Sequence, residues 1–334
     1  MGAQKLSMNI LLTGGAGFIG SNLTRCLLNQ GHQVTVYDLF TTGHTNNLIG
    51  VDVPIIKDAI SNFDQHDLSG IDAVVHLGMP STMMLYRNNP VECMHESVIG
   101  MHKILEAVRV HGCKLIFASS SSVYNGLEAP HTEEREVLVK DFYTEARVAM
   151  ERLAKVYSDL YGVHSIGFRF FAVYGPREEA KKGYANMISQ FMWSIMKNES
   201  PRIFGDGSQT RDFTYVDDVT RILTAALDKT FEQTEIFNIG TAHNYNFNDI
   251  VQAINETLGT NIKPVYIPNP IRNYVPWLLA DITKLKQHFA APTIQLHEGV
   301  RRLANYYTND SQPPDMDNME TYYVSTIKTK APNE

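Results

Sequence analysis

The sequence predicts an α/β fold of the doubly wound type, in which a parallel sheet is followed by a smaller, mixed α/β region. Short apolar runs alternate with amphipathic helical stretches through the first half of the chain. Several runs are apolar throughout, as expected of strands that helices cover on both faces. Because ligands bind at the carboxyl ends of such strands, we expect function directly after each strand.

The predicted elements follow in chain order. The predicted main strands are Asn9–Thr13, Gln33–Tyr37, Val53–Lys57, Ala73–Leu77, Lys114–Ser119 and His164–Phe170. The predicted helices between them are Phe18–Asn29, Pro90–His111 and Tyr143–Tyr161. After residue 175 glycines, prolines and aromatics become frequent, with isolated strand signals at Arg202–Phe204 and Glu235–Ile239. The polar segment 308–334 is predicted to be a mobile tail.

Composition excludes several classes of protein. The 334 residues are 43% hydrophobic and 19% charged, which is typical of a globular protein. A net charge of −7 argues against nucleic acid or an anionic membrane as the partner. The three cysteines lack metal-ligand spacing, so we expect no metal and a reducing compartment. No signal pattern or membrane-length apolar run is present, so the predicted location is cytoplasmic.

A glycine-rich turn directly after the first strand predicts a dinucleotide site. Residues 13–20 read Thr-Gly-Gly-Ala-Gly-Phe-Ile-Gly, so that a strand, a turn and a helix follow one another. Gly14 allows a tight turn, Gly17 lets a pyrophosphate approach the backbone, and Gly20 lets the helix pack on its strand. Asp38, after the second strand, suits the two hydroxyls of an adenosine ribose and repels a 2′-phosphate. We therefore predict NAD rather than NADP, the alternative being a purely structural turn.

Two further segments suggest proton-transfer chemistry. The fifth strand runs into four serines, and Tyr143 and Arg147 lie one turn apart on the helix that follows. A tyrosine can exchange protons near neutral pH if a neighbouring cation favours its phenolate, and Ser120 could orient a sugar hydroxyl beside it. Taken singly, each motif is equally compatible with a serine-rich turn or an ordinary amphipathic helix.

The motifs together resemble one family. The sequence is similar to the extended short-chain dehydrogenase/reductases, in particular the NAD-dependent nucleotide-sugar epimerases and dehydratases, from Met8 to about Tyr307. The resemblance implies a Rossmann-type domain at residues 1–175, with returns near 213–240, and a substrate-binding region at 176–307. The matching segments are the glycine turn, Asp38, residues 58–59, 76–79, 119–124, the helix from Tyr143, residues 168–177 and residues 205–213.

The resemblance also assigns residues to roles. The implied catalytic residues are Ser120, Tyr143 and Arg147. The implied cofactor-binding residues are Gly14, Gly17, Phe18, Ile19, Gly20, Asp38, Asp58, Ala59, Leu77, Gly78, Met79, Ser119, Tyr143, Arg147 and Tyr174. The implied substrate-binding residues are Ser81, Ser121, Ser122, Tyr143, Ala172, Tyr184, Asn186, Gln209, Arg211 and Arg272.

Three positions depart from the family pattern. Arg147 stands where the family has a lysine that binds the nicotinamide ribose and assists the tyrosine. Arginine keeps the charge but is larger, planar and unable to release a proton. Ser97 stands where asparagine is usual, and Ala172 where asparagine, serine or threonine is common. These departures bear on the catalytic rate more than on the fold.

The residues after Ser120 favour one reaction. Dehydratases of the family carry an Asp-Glu pair there, and decarboxylases tend to have a glutamate at the second place, but this chain has Ser121 and Ser122. The resemblance therefore implies epimerisation, at C4, of a UDP-hexose or UDP-hexuronate. Two alternatives stay open: a nucleotide-sugar dehydratase or oxidoreductase, and a catalytically weak NAD-binding sensor or scaffold.

The resemblance implies a homodimer as well. In many relatives the helices at about 92–110 and 143–161 pair across a dimer axis. Six apolar residues on them could form that surface or could equally be the inward face of each helix. These residues are Ile104, Leu105, Val108, Met150, Leu153 and Val156.

Overall fold

Strands and helices alternate along the first half of the chain in a computed structural model, which describes residues 7–64, 68–269 and 274–314. The strands are β1 (Asn9–Thr13), β2 (Gln33–Tyr37), β3 (Ile55–Ile56), β4 (Ala73–His76), β5 (Lys114–Ser120), β6 (Ser165–Phe170), β7 (Val173–Tyr174), β8 (Arg202–Phe204), β9 (Thr210–Arg211), β10 (Thr214–Tyr215), β11 (Glu235–Ile239), β12 (Tyr245–Asn246) and β13 (Val265–Ile267). The α-helices are α1 (Phe18–Asn29), α2 (Met83–Asn88), α3 (Pro90–Met94), α4 (Gly100–His111), α5 (Phe142–Tyr161), α6 (Met187–Met196), α7 (Val216–Ala226), α8 (Phe247–Leu258), α9 (Thr283–His288) and α10 (Leu296–Asn309).

Seven strands form the main sheet, in the order β11-β6-β5-β4-β1-β2-β3. β1 pairs in parallel with both β2 and β4, and β4 pairs in parallel with β5. The chain winds outward from β1 in one direction and returns to β4 on its other side. The carboxyl ends of β1 and β4 therefore flank the point where the winding reverses, which is where such sheets bind ligands. This sheet confirms the predicted fold class.

Among the predicted elements, the two largest differences from the observed ones concern a strand and a helix. The strand predicted over Val53–Lys57 is reduced to β3, an edge strand that pairs with β2 alone. The helix predicted over Pro90–His111 is divided into α3, a π-helical turn at His95–Ile99, and α4. At the start of α4 a Cβ on Gly100 would collide with the side chain of Ile60, so the glycine permits a close approach there.

The described residues form two compact units. The first comprises the described residues within 1–123, 141–169 and 219–237, and the second comprises those within 124–140, 170–218 and 238–314. In the first unit the buried faces of the strands pack against α4 and α5, with Phe117 and Met150 among the residues of this core. In the second unit a separate core surrounds Trp193 and Phe247, which are almost fully buried. The tail predicted for residues 308–334 starts within α10, because that helix runs to Asn309. Residues 315–334 lie outside the described residues.

The apolar residues of α4 and α5 lie mostly on the inward faces of these helices. Ile104, Leu105, Val108 and Met150 are at most 2% exposed within the first core, and Leu153 packs against it. Val156 is 47% exposed. The sequence left open whether these six residues form a dimer surface or the inward face of each helix. Five of the six lie on the inward face.

Candidate active site

The turn between β1 and α1 has no room for side chains. Gly14 has a φ of 71°, and a Cβ there would lie 2.7 Å from the Cα of Gly78. Gly17 is the N-cap of α1, and its N–H donates to the carbonyl of Gly14 at 3.0 Å. The turn after β1 and the loop after β4 therefore approach each other backbone to backbone. This bare, helix-terminated cradle fits a pyrophosphate.

Thr13 and His76 fasten these two segments together. The hydroxyl oxygen of Thr13 accepts hydrogen bonds from the N–H groups of Leu77 and Gly78, at 3.1 and 2.9 Å. Nδ1 of His76 forms a hydrogen bond with the same hydroxyl, 2.7 Å away. The other ring nitrogen, Nε2, is buried and has no hydrogen-bond partner in the part of the chain that the structure describes.

The neutral state of His76 makes stability depend on pH. Burial, with a further contribution from Arg147, lowers the pKa of His76 from 6.5 to about 3. Between these values the unfolded chain binds the proton and the folded chain does not, so stability falls as pH decreases below 6.5. From pH 6.5 to pH 4 we expect this group to cost about 3 kcal/mol of the free energy of unfolding. Urea unfolding of the parent and of His76→Asn, which keeps an acceptor for Thr13, measures this loss as the difference between the two pH profiles. Parallel profiles would contradict the assignment.

Asp38 and Asp58 lie after β2 and β3. The two oxygens of Asp38 accept from the N–H groups of Ala16 and Phe40, at 2.9 and 2.7 Å, which fixes the carboxylate beside the glycine turn. Burial raises the pKa of Asp38, although its backbone hydrogen bonds oppose that rise. Asp58 accepts from the side chain of Asn62 and from its neighbour's N–H, and these bonds lower its pKa. Both carboxylates are thus held as acceptors, which suits the predicted adenosine contacts.

The serine cluster begins where β5 ends. The N–H of Ser122 donates to the Ser120 hydroxyl oxygen at 3.1 Å, which leaves the Ser120 proton to be donated elsewhere. Ser121 is buried, and the Ser122 hydroxyl is buried without a hydrogen-bond partner among the described residues. The cluster therefore presents hydroxyl groups and no carboxylate directly after Ser120.

Helix α5 carries Tyr143 and Arg147 on successive turns. Asp141 caps its N terminus by accepting from the N–H of Thr144 at 2.9 Å, which fixes where the helix starts. The Arg147 guanidinium carbon lies 4.7 Å from the centroid of the Tyr143 ring. Its Nη2 donates to the carbonyl of Pro80 at 2.6 Å. The structure thus brings the two predicted catalytic side chains of α5 into direct contact.

Arg147 is a buried cation without a carboxylate partner among the described residues. Arg147 is only 3% exposed, and burial by itself would lower the pKa of its guanidinium. Tyr86 and Tyr143 more than offset this, so that the pKa lies above its ordinary value and the group stays charged. A buried cation beside a phenol stabilises negative charge on the phenol oxygen.

A buried ion pair lies one turn further along α5. Glu151 binds Arg169 of β6 through both carboxylate oxygens, at 2.9 and 2.6 Å. The hydroxyl of Ser119 donates to the same carboxylate at 2.5 Å. Ser119 immediately precedes Ser120, so Glu151 ties the end of β5 to the helix that carries Tyr143 and Arg147.

In the second unit, Asn186 caps α6 and is bonded at both ends of its amide. The oxygen accepts from the N–H of Ile188, and the nitrogen donates to the carbonyls of Ala172 and Val173, each at 3.1 Å. The predicted substrate contact therefore starts from a side chain that already orders the segment leading into β7. Tyr174, by contrast, has its side chain fully buried in the second core, so only its backbone is available to a cofactor.

Arg211 lies between two aromatic rings of the second unit. Its guanidinium is 5.9 Å from the ring centroid of Phe247 and 5.3 Å from that of Tyr274. Gln209 donates to the carbonyl of Phe204 at 2.8 Å.

The remaining predicted positions are spread over both units. Ser81 is exposed before α2, and Met79 packs against the first core. Tyr184 ends a 3₁₀ helix, and Arg272 lies outside the described residues.

Ala172 has a backbone conformation that alanine disfavours. Its φ is 33°, and its carbonyl is held by Asn186 and by the N–H of Thr214 at 3.4 Å. We expect Ala172→Gly to raise the free energy of unfolding by about 0.5–1 kcal/mol because the Cβ clash is removed. Ala185→Gly is the matched control and should not gain stability, since Ala185 has an unstrained φ of −67° in the same unit. Urea unfolding measures both, and a loss of stability in Ala172→Gly would contradict the strain.

Sequence reasoning did not find several residues that shape the site. His76 and Thr13 end the two strands beside the point where the winding reverses, and that position was a usable signal. Glu151 shares a helix face with Arg147, four residues earlier, but its partner Arg169 comes from a distant strand. Tyr86, on α2, had no signal in the sequence, because that short helix was not predicted.

Comparison with known proteins decides the family. The model of the NAD dependent epimerase/dehydratase family matches residues 10–240. The chain belongs to this family. The match confirms the resemblance inferred from the motifs, and with it NAD as the cofactor.

The individual relatives of the chain differ in their reactions. A Methanocaldococcus jannaschii protein named "Putative UDP-glucose 4-epimerase" is 33% identical, over 91% of this chain and 99% of its own length. A UDP-N-acetyl-alpha-D-glucosaminuronate decarboxylase of Bacillus cytotoxicus is 31% identical, over 89% and 97%. The crystal structure of the Thermotoga maritima UDP-glucose 4-epimerase with UDP-glucose superposes with a TM-score of 0.84, at 29% identity over 90% of this chain and 99% of that one. Membership therefore leaves the reaction to be argued from the site.

Two kinds of feature, membrane-spanning helices and metal-binding clusters, are absent from the described residues. None of the helices in residues 7–64, 68–269 and 274–314 has the length and apolar character that crossing a bilayer requires. Within the same ranges, no three or more His, Cys, Asp or Glu side chains form a group that could hold a metal ion.

Proposed function

We propose that the protein epimerises a UDP-hexose or UDP-hexuronate at C4. The observation that carries this proposal is the all-hydroxyl cluster after Ser120, beside a helix that holds Tyr143 against Arg147. Elimination of water or loss of CO₂ from a sugar nucleotide benefits from a carboxyl group next to the reacting carbon, and Ser121 and Ser122 do not supply one. Removal and return of hydrogen at one carbon needs only a base and a hydride store.

The proposed proton transfer uses three side chains. Tyr143 takes the proton of the C4 hydroxyl, and the charge of Arg147 stabilises the phenolate state in which it can do so. Ser120 donates its hydroxyl proton to the same sugar oxygen, because its own oxygen is already bonded to the N–H of Ser122. Arg147 holds charge and position only, since a guanidinium does not release its proton in proteins.

The residues of the first unit fit NAD. The backbone cradle at Gly14 and Gly78 would take the pyrophosphate, and Asp38 would accept from the adenosine ribose. Arg147, beside Tyr143, would bind the nicotinamide ribose in the place of the family's lysine. When bound, NAD accepts a hydride from the sugar carbon and later returns it. In the second unit Arg211, Asn186, Gln209 and Tyr184 are proposed to bind the nucleotide part of the substrate.

Decarboxylation is the second candidate. The Bacillus cytotoxicus relative is named for it, at an identity close to that of the epimerase-like relative. Both reactions would begin with oxidation of a sugar carbon, for which NAD would accept the hydride and the same residues would take the hydroxyl proton, so they differ in their products. A protein that bound NAD but converted no nucleotide sugar would instead be a sensor or scaffold.

The proposal is tested by incubating the purified protein with UDP-glucose, UDP-galactose, UDP-N-acetylglucosamine and UDP-glucuronate, each with and without added NAD. Chromatography that separates C4 epimers should show one substrate converted to its epimer and no net formation of NADH. Release of CO₂ from UDP-glucuronate would favour the decarboxylase. A keto or deoxy product would favour the dehydratase or oxidoreductase, and no product from the full panel would favour the sensor.

We also propose that the protein is a homodimer that pairs through the outer face of α5. Val156 and Leu160, one turn apart, are 47% and 67% exposed on that face, unlike the inward residues described above. Light scattering should give twice the mass of the chain, and replacement of both residues by glutamate should give the mass of one chain. A parent protein with the mass of one chain would contradict the proposal.

A further inference from the structure

A second tyrosine, Tyr86, lies beside the proposed catalytic pair. It is 1% exposed on α2, in a small buried cluster with Cys93 and Ala146 against which Tyr143 packs. Its ring meets the ring of Tyr143 in a T-shaped arrangement, with centroids 5.5 Å apart and planes at 73°. This is a favourable aromatic geometry, and it restricts how the Tyr143 ring can tilt.

The hydroxyl of Tyr86 is itself held in place. It lies 2.5 Å from the hydroxyl of Ser97, which is fully buried in the π-helical turn between α3 and α4. A hydrogen bond between two buried hydroxyls fixes the position of the phenol oxygen, at the far end of the Tyr86 ring. Burial raises the pKa of Tyr86, although Arg147 opposes that rise, so Tyr86 stays neutral and serves by position rather than by charge.

One short segment contacts both residues of the catalytic pair. Pro80, just before α2, accepts from Arg147, and Tyr86, within α2, packs against Tyr143. Arg147 in turn lies over the ring of Tyr143. The segment 80–86, Arg147 and Tyr143 therefore close a ring of contacts, and Ser97 holds the phenol oxygen of Tyr86 in place.

We propose that Tyr86, held by Ser97, is a positioning residue that sets the orientation of Tyr143 against Arg147. The proposal rests on the proposed function only for its effect on rate, since the geometry itself does not depend on the reaction. It also connects two departures from the family pattern. The serine at position 97 and the arginine at position 147 act on the same tyrosine, one through Tyr86 and one directly.

The kinetic test uses two variants, each of which removes one partner of the Tyr86–Ser97 hydrogen bond. Tyr86→Phe and Ser97→Ala should each lower kcat about tenfold, with KM changed less than about twofold, because a small misorientation of Tyr143 affects the reacting state more than substrate binding. The double variant should be no slower than either single variant, since both remove one bond. Ser97→Thr, which keeps a hydroxyl, should retain most of the rate.

Tyr157→Phe is the matched control. Tyr157 is also a buried tyrosine of the first unit with one side-chain hydrogen bond, to Glu106 at 3.2 Å, but it lies four turns away from Tyr143 along α5. Its loss should leave kcat unchanged. Equal kcat values for Tyr86→Phe, Tyr157→Phe and the parent would overturn the proposal. A double variant of Tyr86→Phe and Ser97→Ala whose loss of kcat equals the product of the two single losses would overturn it as well.

A measurement without substrate separates this inference from the proposed function. Fluorotyrosine at position 143 reports the surroundings of that ring by fluorine NMR. Tyr86→Phe and Ser97→Ala should shift or broaden its signal, and Tyr157→Phe should not. An unmoved signal overturns the positioning role even in an active enzyme. A moved signal in a protein that converts no nucleotide sugar upholds the geometry and overturns the proposed function alone.

Discussion

Tyr143→Phe is expected to lower kcat by about 10²–10⁴-fold, the usual contribution of a positioned acid–base group. The variant keeps the ring that packs on Arg147 and Tyr86, so the fold and NAD binding should be retained. The phenol oxygen is the only part that is lost. The measurement is turnover of the best substrate from the UDP-sugar panel, together with NAD affinity from quenching of protein fluorescence.

The control for Tyr143→Phe is again Tyr157→Phe, on the same helix. Both variants remove one hydroxyl from α5, but Tyr157 lies in the first core with its hydroxyl on Glu106. A kcat that falls only in the variant at position 143 assigns proton transfer to that hydroxyl. If Tyr143→Phe keeps the parent's kcat, then another group takes the proton, and the roles proposed for Ser120 and Arg147 lose their basis as well.

Most of the sheet could be predicted from the sequence because its strands are apolar runs with turn signals at their ends. β1 and β2 have the predicted bounds, and the glycine turn follows β1 as expected. β3 was predicted too long, because an edge strand pairs on one side only and most of its predicted length makes no ladder. The close approach of Gly100 to Ile60 could not be predicted either, since Ile60 comes from a distant part of the chain.

The placement of a site residue could be predicted where it follows from that residue's own strand or helix. Asp38 comes after β2 and lies beside the glycine turn, and Tyr143, one turn before Arg147, contacts it. Contacts that join distant segments carry no such signal. Thr13 with His76 and Tyr86 with Ser97 each depend on hydroxyl or ring orientations that only the folded chain defines.

Glu151→Ala is expected to lower the free energy of unfolding by about 3–5 kcal/mol, because it removes the two hydrogen bonds and the opposite charge that Glu151 supplies to the buried guanidinium of Arg169. Glu151 and Arg169 are 9% and 5% exposed at their side chains, so water cannot replace the lost bonds. The control is Arg109→Ala, which breaks a Glu–Arg pair of similar length on α4 whose side chains are about 40% exposed. Screening by water should make that loss much smaller than the loss in Glu151→Ala. Guanidinium unfolding at neutral pH measures both.

Replacing both residues of this ion pair distinguishes its effect on stability from its effect on catalysis. Replacement of both Glu151 and Arg169 by methionine removes the charges together, so most of the stability should return. The Ser119 hydroxyl, however, would still have lost its acceptor, and the end of β5 would no longer be tied to α5. We therefore expect the double variant to unfold near the parent's midpoint and yet to turn over as slowly as Ser119→Ala. Full activity in the double variant would show that Glu151 only fills and neutralises the core, and that Ser120 is positioned by β5 alone.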